Sequence, residues 1–181
     1  MKFSIFNFQF SKTGFTLIEI IVAIFVILVG IVGIYSLVPK IVSITTANIN
    51  RFIAAQLARE GVEIVRNIRD GNWLEQRRDS LTPWNEGLDN CINGCEADYT
   101  ILGEEDPILD SYQGRYLYID STDGFYKYIS SPSVQDIKTK FKRKIIITQP
   151  QENKLNIKVQ IFWAEKTNPF FELQENLYNW H

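Results

Sequence analysis

Apolar residues along this chain fall into three patterns that follow one another. From Ile20 to Val38 there are nineteen consecutive residues without a charge. As a helix this run spans about 28 Å, close to the thickness of a bilayer's hydrocarbon core. After Pro39 the pattern becomes amphipathic, with Ile44, Ala47, Phe52, Ala55, Ala58, Val62, Val65 and Ile68 at three-to-four spacing. Asn48, Asn50, Arg51, Arg59, Glu63, Arg66 and Asp70 fall mostly on the other side. Arg59 with Glu63 and Arg66 with Asp70 stand four apart, where they can pair across one turn. The spacing predicts one helix from Thr16 to about Asp70, apolar all round in its first half and one-sided in its second. Pro39 is expected to kink it rather than end it. Gly30 and Gly33 lie in the apolar half, where they can loosen the helix, let a neighbouring helix approach, or simply be the glycine common in membrane helices.

From Gly71 to Gly114 the patterning weakens, with Gly, Pro, Asn and Asp frequent, and one short strand is expected at Asp98–Leu102. Then the period becomes two. Tyr116–Asp120 and Phe125–Ile129 flank Ser121-Thr122-Asp123-Gly124, a hairpin signal. Leu155, Ile157, Val159, Ile161 and Trp163 alternate with Asn156, Lys158, Gln160 and Phe162, which describes a half-buried strand. Phe141, Ile145 and Ile147, set against Lys140, Lys142 and Lys144, give its partner across Gln149–Asn153. A last strand covers Phe171–Tyr178. An antiparallel sheet needs one face covered, and the amphipathic helix half supplies the apolar stripe. The expected fold is therefore α+β, a long N-terminal helix packed on a C-terminal antiparallel sheet. Its segments are 1–14 as a leader, 15–38 as a transmembrane half, 39–70 as an amphipathic half and 71–181 as a head.

Composition narrows the function. With 181 residues the chain can hold one membrane segment and one modest folded domain. A net charge of −2 argues against a nucleic-acid binder. The lysine series Lys138, Lys140, Lys142 and Lys144, with Arg143 among them, reads as the solvent face of a strand, especially an edge strand kept from unwanted pairing. The only histidine is His181, and no Ser-His or Cys-His pair, Walker loop, dinucleotide fingerprint or zinc-ligand set is present. An enzyme is not expected, nor a cofactor. Glu104, Glu105, Asp106 and Asp110, and separately Asp120 with Asp123, match no calcium loop and read as solvated turn carboxylates. Lys2 and Lys12 precede the apolar run, so the positive-inside tendency places the leader in the cytoplasm and the head outside it. Cys91 and Cys95 then lie on the oxidising side, at a separation that permits a disulfide.

Glu19 is the informative exception. A carboxylate at membrane depth costs roughly 2.5–3.5 kcal/mol on insertion scales. Thr16 with Glu19 also fits a capping box, which accounts for a helix start but not for the apolar run behind it. Gly14-Phe15-Thr16-Leu17-Ile18-Glu19, preceded by Lys12-Thr13, resembles the processing site of type IV prepilins and type II secretion pseudopilins. The resemblance implies cleavage by prepilin peptidase between Gly14 and Phe15, N-methylation of Phe15, and a role for Glu19 in assembly and register. Gln56–Asp70, followed by Asn72-Trp73, is similar to the post-membrane helix of PilV/GspI-type minor pilins, and Phe171–Trp180 to their closing strand. Residues 74–140 carry no such likeness. The implied partners are other pilin-like subunits, an inner-membrane assembly platform and membrane lipid. The implied location is the inner membrane with the head extracytoplasmic, then a pilus or pseudopilus. A membrane-anchored binding module that never polymerises, or a major pilin, stays open as an alternative.

Overall fold

The computed structural model describes residues 14–89, 91–103, 109–165 and 169–179. The leader up to Thr13, Glu104–Asp106 and His181 lie outside the described residues. Two compact units meet in sequence at Ala47 and Asn48. One helix, α1, runs from Leu17 to Gln76. It continues through Pro39 and extends six residues past the expected end at Asp70.

In the first unit every described residue from Gly14 to Thr46 is exposed, the whole uncharged run included. This stretch of α1 is long and apolar enough to cross a membrane.

In the second unit α1 packs on a sheet. The strands are β1 (Cys95–Glu96), β2 (Asp110–Ser111), β3 (Tyr118–Ile119), β4 (Tyr126–Lys127), β5 (Ile137–Lys138), β6 (Phe141–Gln151), β7 (Lys154–Trp163) and β8 (Phe170–Tyr178). Antiparallel neighbours in the order β2-β1-β6-β7-β8 form the main sheet, and β4-β3-β5 form a small second one. The period-two reading of β6, β7 and β8 holds. Alternate residues of β7 (Leu155, Ile157, Val159, Ile161 and Trp163) are buried against Ala54, Leu57, Ala58, Val62, Val65 and Ile68 of α1. The buried stripe of the helix sits slightly off the expected one. Phe52 is exposed, whereas Ala54, Leu57 and Gly61 face the sheet. Small residues are there because the backbones come close. A Cβ on Gly61 would stand 3.0 Å from Val159 Cγ1 and 3.1 Å from Arg143 Cδ.

The strand expected at Asp98–Leu102 is instead a 3₁₀ turn, Tyr99–Gly103. Buried Asp98 accepts from the Thr100 N–H at 2.9 Å and the Thr100 hydroxyl at 2.6 Å, a local side-chain bond that competes with strand pairing. The expected hairpin around Ser121–Gly124 forms, with strands of only two residues, β3 and β4. Gly124 closes its turn at φ +76°.

Two expectations for the lysine series are corrected. Lys138 does lie on an edge strand, β5 of the small sheet, but β6, which carries Lys142 and Lys144, lies between β1 and β7 and is not an edge. Arg143 is fully buried rather than grouped with the lysines, because residues two apart share a face and Arg143 falls with Phe141 and Ile145. The charge pairing on α1 also differs. Arg66 meets Glu63 and Glu175 of β8, while Asp70 accepts from Arg69 at 2.6 Å.

Candidate functional site: the N-terminal junction and the head

Gly14 and Phe15 precede α1, and both are exposed. The Thr16 carbonyl accepts from the N–H of Glu19 at 3.1 Å and of Ile20 at 3.2 Å, so the chain turns helical directly after the Gly14–Phe15 bond. That bond therefore lies in accessible chain ahead of the helix. A side chain at Gly14 would meet nothing within 4 Å among the described residues. Glu19 sits in the first turn, where a carboxylate is favoured by the helix dipole. It is exposed in an apolar neighbourhood of Ile18, Ile20 and Ile21, and among the described residues it has no ion-pair partner. The Thr16 backbone thus takes the N-cap position, and the cap by itself leaves the Glu19 charge unmatched.

The disulfide between Cys91 and Cys95 is present, with Cα atoms 5.3 Å apart and both residues buried. It pins a small loop to β6: Cys95 pairs with Ile145, and the Ile147 N–H donates to the Cys91 carbonyl at 3.1 Å. Gly94 answers a backbone requirement. Its φ is +103°, and a Cβ there would also displace the Lys144 side chain.

Of the expected turn carboxylates, Asp110 and Asp123 are exposed as expected, Asp120 is not, and each of the three has a partner. Asp120 is buried, pairs with Lys127, and accepts from the N–H and hydroxyl of Thr122. The Lys127 ammonium, then the Thr122 bonds, hold the Asp120 carboxyl well below its usual range. Asp123 accepts from the Tyr99 hydroxyl, which pushes that phenol up to about 12. Asp110 pairs with Arg115 at 2.7 Å, and the Arg115 Nε donates at 2.5 Å to the fully buried Glu96. Lys138 and Lys142 place their ammonium groups 4.5 and 4.4 Å from the Tyr116 ring, and Lys144 stands 5.2 Å from the Tyr112 ring.

The two stretches of pilin likeness meet in the head. Trp73 Nε1 donates to Asn179 Oδ1 at 3.2 Å, joining the end of α1 to the chain just past β8. The Asn72 amide donates to the carbonyls of Trp84 and Glu86 at 3.2 and 2.9 Å. These bonds also account for the helix running beyond Asp70. The sequence reading missed the buried partnership of Arg143 with α1. The parity of β6 would have disclosed it.

Residues 10–35 match the family model described as the prokaryotic N-terminal methylation motif. Neither a search of curated proteins nor one of solved structures finds a match to this chain. The matched segment contains Gly14, Phe15 and Glu19 and ends within the exposed apolar stretch of α1. An N-terminal methylation motif leading into a long apolar helix whose second half packs on an antiparallel sheet supports a type IV pilin-like subunit, processed by prepilin peptidase.

Proposed function

We propose that this chain is a minor pilin or pseudopilin, a non-enzymatic subunit built from the inner membrane into a type IV pilus or a type II secretion pseudopilus. The observation that carries the reading is the placement of the methylation motif. Its Gly14–Phe15 bond is accessible, and Glu19 follows within one helical turn at the head of an exposed apolar helix. In this reading prepilin peptidase cuts after Gly14, the new Phe15 amine is methylated, and the mature subunit stays anchored by 15–38 with its head extracytoplasmic. The minor role rests on the likeness of Gln56–Asp70 and Asn72-Trp73 to minor pilins, whose helix end the Trp73–Asn179 bond ties to the closing strand.

Glu19 then sets axial register. Its carboxylate pairs with the free Phe15 amine of a neighbouring subunit, which exists only once the leader is removed. Each charge left unpaired in lipid is costly, so the pair selects one stagger between helices. Substituting Glu19→Val should leave the protein in the membrane and cleaved at Gly14, but depleted from sheared filaments or crosslinked pilin complexes. Incorporation of the variant at the wild-type level, at matched expression, would return Glu19 to a helix-start role alone.

A further inference from the structure

Strand β8 ends one side of the main sheet, and its far edge is open along nine residues. Its pairing with β7 fixes which backbone groups lie on that edge. The Asn179 N–H donates to the Asn153 carbonyl at 2.9 Å, and the Trp163 N–H to the Pro169 carbonyl at 3.4 Å. Both bonds keep the β7–β8 register, so the odd-numbered residues of β8 are the ones bonded to β7. In an antiparallel ladder the alternate residues turn their groups the other way. The N–H and C=O of Phe170, Glu172, Gln174 and Asn176 therefore point to the open edge. Among the described residues no strand lies there.

An open edge is a template for another strand, and it is ordinarily blunted by shortness, by lysine or proline, or by a bulge. The opposite edge of this sheet, β2, is only two residues long. Strand β8 has neither lysine nor proline, and its register runs without a shift from Phe170 to Tyr178. Its carboxylates are held within the chain, Glu172 by Lys158 at 3.8 Å and Glu175 by Arg66. Neither is left unmatched to repel an incoming strand.

We propose that the occupant of this edge is β8 of a second copy, paired antiparallel about a twofold axis at Gln174. The open groups can bond only if even-numbered residues meet even-numbered ones, and this register does so along the whole strand. It sets Phe170 against Tyr178, Glu172 against Asn176, and Gln174 against its own copy. An aromatic pair and a carboxylate–amide pair are favourable cross-strand neighbours, and no like charges stand opposite each other. On the sheet's inner face Phe171 meets Leu177, and Glu175, kept by Arg66, meets Leu173. The contact is the same patch on both copies, so it closes on a pair and leaves no β8 edge for a third.

The test is the mass of the full chain in maltoside micelles at about 100 µM, read by analytical ultracentrifugation. The wild type should be a dimer. Gln174→Pro deletes a donor that faces the edge and takes no bond from β7, so it should weaken the pair about tenfold or more. Gln174→Lys sets two cations across the axis and should act alike. Near-UV circular dichroism should show the native head in both variants. Register is read separately with Gln174→Cys, whose new thiol is free because Cys91 and Cys95 are bonded to each other. Its two copies would stand about 5.5 Å apart, within disulfide reach, and should join on mild oxidation. Asn176→Cys, with its copies about 14 Å apart, should not. A monomeric wild type, even one whose edge takes a strand from a different subunit, would overturn the proposal. So would a dimer that both Gln174 variants leave unchanged, which would place the contact on another surface, or equal joining of the two cysteine variants.

Discussion

Arg143 Nη1 stands 3.3 Å from Glu60 Oε1, joining the start of β6 to the second half of α1 with the guanidinium wholly out of solvent. The same side chain donates to the carbonyls of Leu57 at 3.2 Å and Ala97 at 2.5 Å, so one cation ties the helix, β6 and the residue that follows β1 together. Its Nε finds no partner among the described residues.

A buried guanidinium needs its carboxylate more than the half-exposed carboxylate needs it. Glu60→Leu should therefore cost about 1–3 kcal/mol, between the values for exposed and buried pairs, because it strands the Arg143 charge. Adding Arg143→Met to Glu60→Leu should recover most of that loss, since an apolar pair of similar volume carries no desolvation penalty. Urea unfolding of the three proteins checks this. A double variant less stable than Glu60→Leu would show that Arg143 acts mainly through its carbonyl bonds.

Gly61 sits in a helix interior, where Ala would ordinarily be favoured by about 1 kcal/mol. Here the added Cβ meets Val159 at 3.0 Å and Arg143 at 3.1 Å, both fully buried and the first on the strand between β6 and β8. Neither can retreat without disturbing the sheet, so Gly61→Ala should destabilise by about 1–2 kcal/mol in spite of its helix propensity. Thermal unfolding that rises instead would mean that the helix and sheet can separate locally by a few tenths of an ångström.

Asp120 gives a pH signature with a definite sign. Its carboxyl is held below the ordinary range by Lys127 and Thr122, so it favours the folded state while it is ionised. That contribution is complete above the unfolded value, about 3.9, and is lost as pH falls through the lower folded-state value. The stability gap between wild type and Asp120→Asn should be constant from pH 7 to about pH 4 and shrink below it. Urea unfolding at stepped pH measures it, and a gap undiminished at pH 2 would show that packing rather than charge separates the two proteins.

Much of this was written in the spacing of residues. The uncharged run from Ile20 to Val38 marks the exposed half of α1, and strict alternation from Leu155 to Trp163 marks β7, because each pattern is imposed by a single periodic geometry. What escaped depends on contacts distant in sequence. Strand β6 looks like an edge until two-residue β1 returns beside it, held by the Cys91–Cys95 loop. The inner stripe of α1 follows Ala54, Leu57 and Gly61 rather than Phe52, since close approach to Val159 rewards small side chains that a hydrophobicity pattern ranks low. Asp98 turns a β-like segment into a 3₁₀ turn through its bonds to Thr100, a competition between local and ladder bonding that composition does not resolve. For the N-terminal junction, the residues were legible in the motif itself, and the structure adds that Gly14 and Phe15 are accessible and that the helix starts just behind them.

Mass spectrometry of the N-terminus, on protein isolated from cells with an active prepilin peptidase, tests the central claim most directly. The glycine lets extended backbone enter a peptidase site without a side-chain clash, and the helix does not begin until Leu17. The mature chain should begin at Phe15 and carry one added methyl group on its amine, and both changes should vanish in cells lacking the peptidase. A chain that keeps Met1 in the presence of active peptidase, or one cut beyond residue 20 within the apolar run, would contradict the reading of this protein as a processed pilin-like subunit.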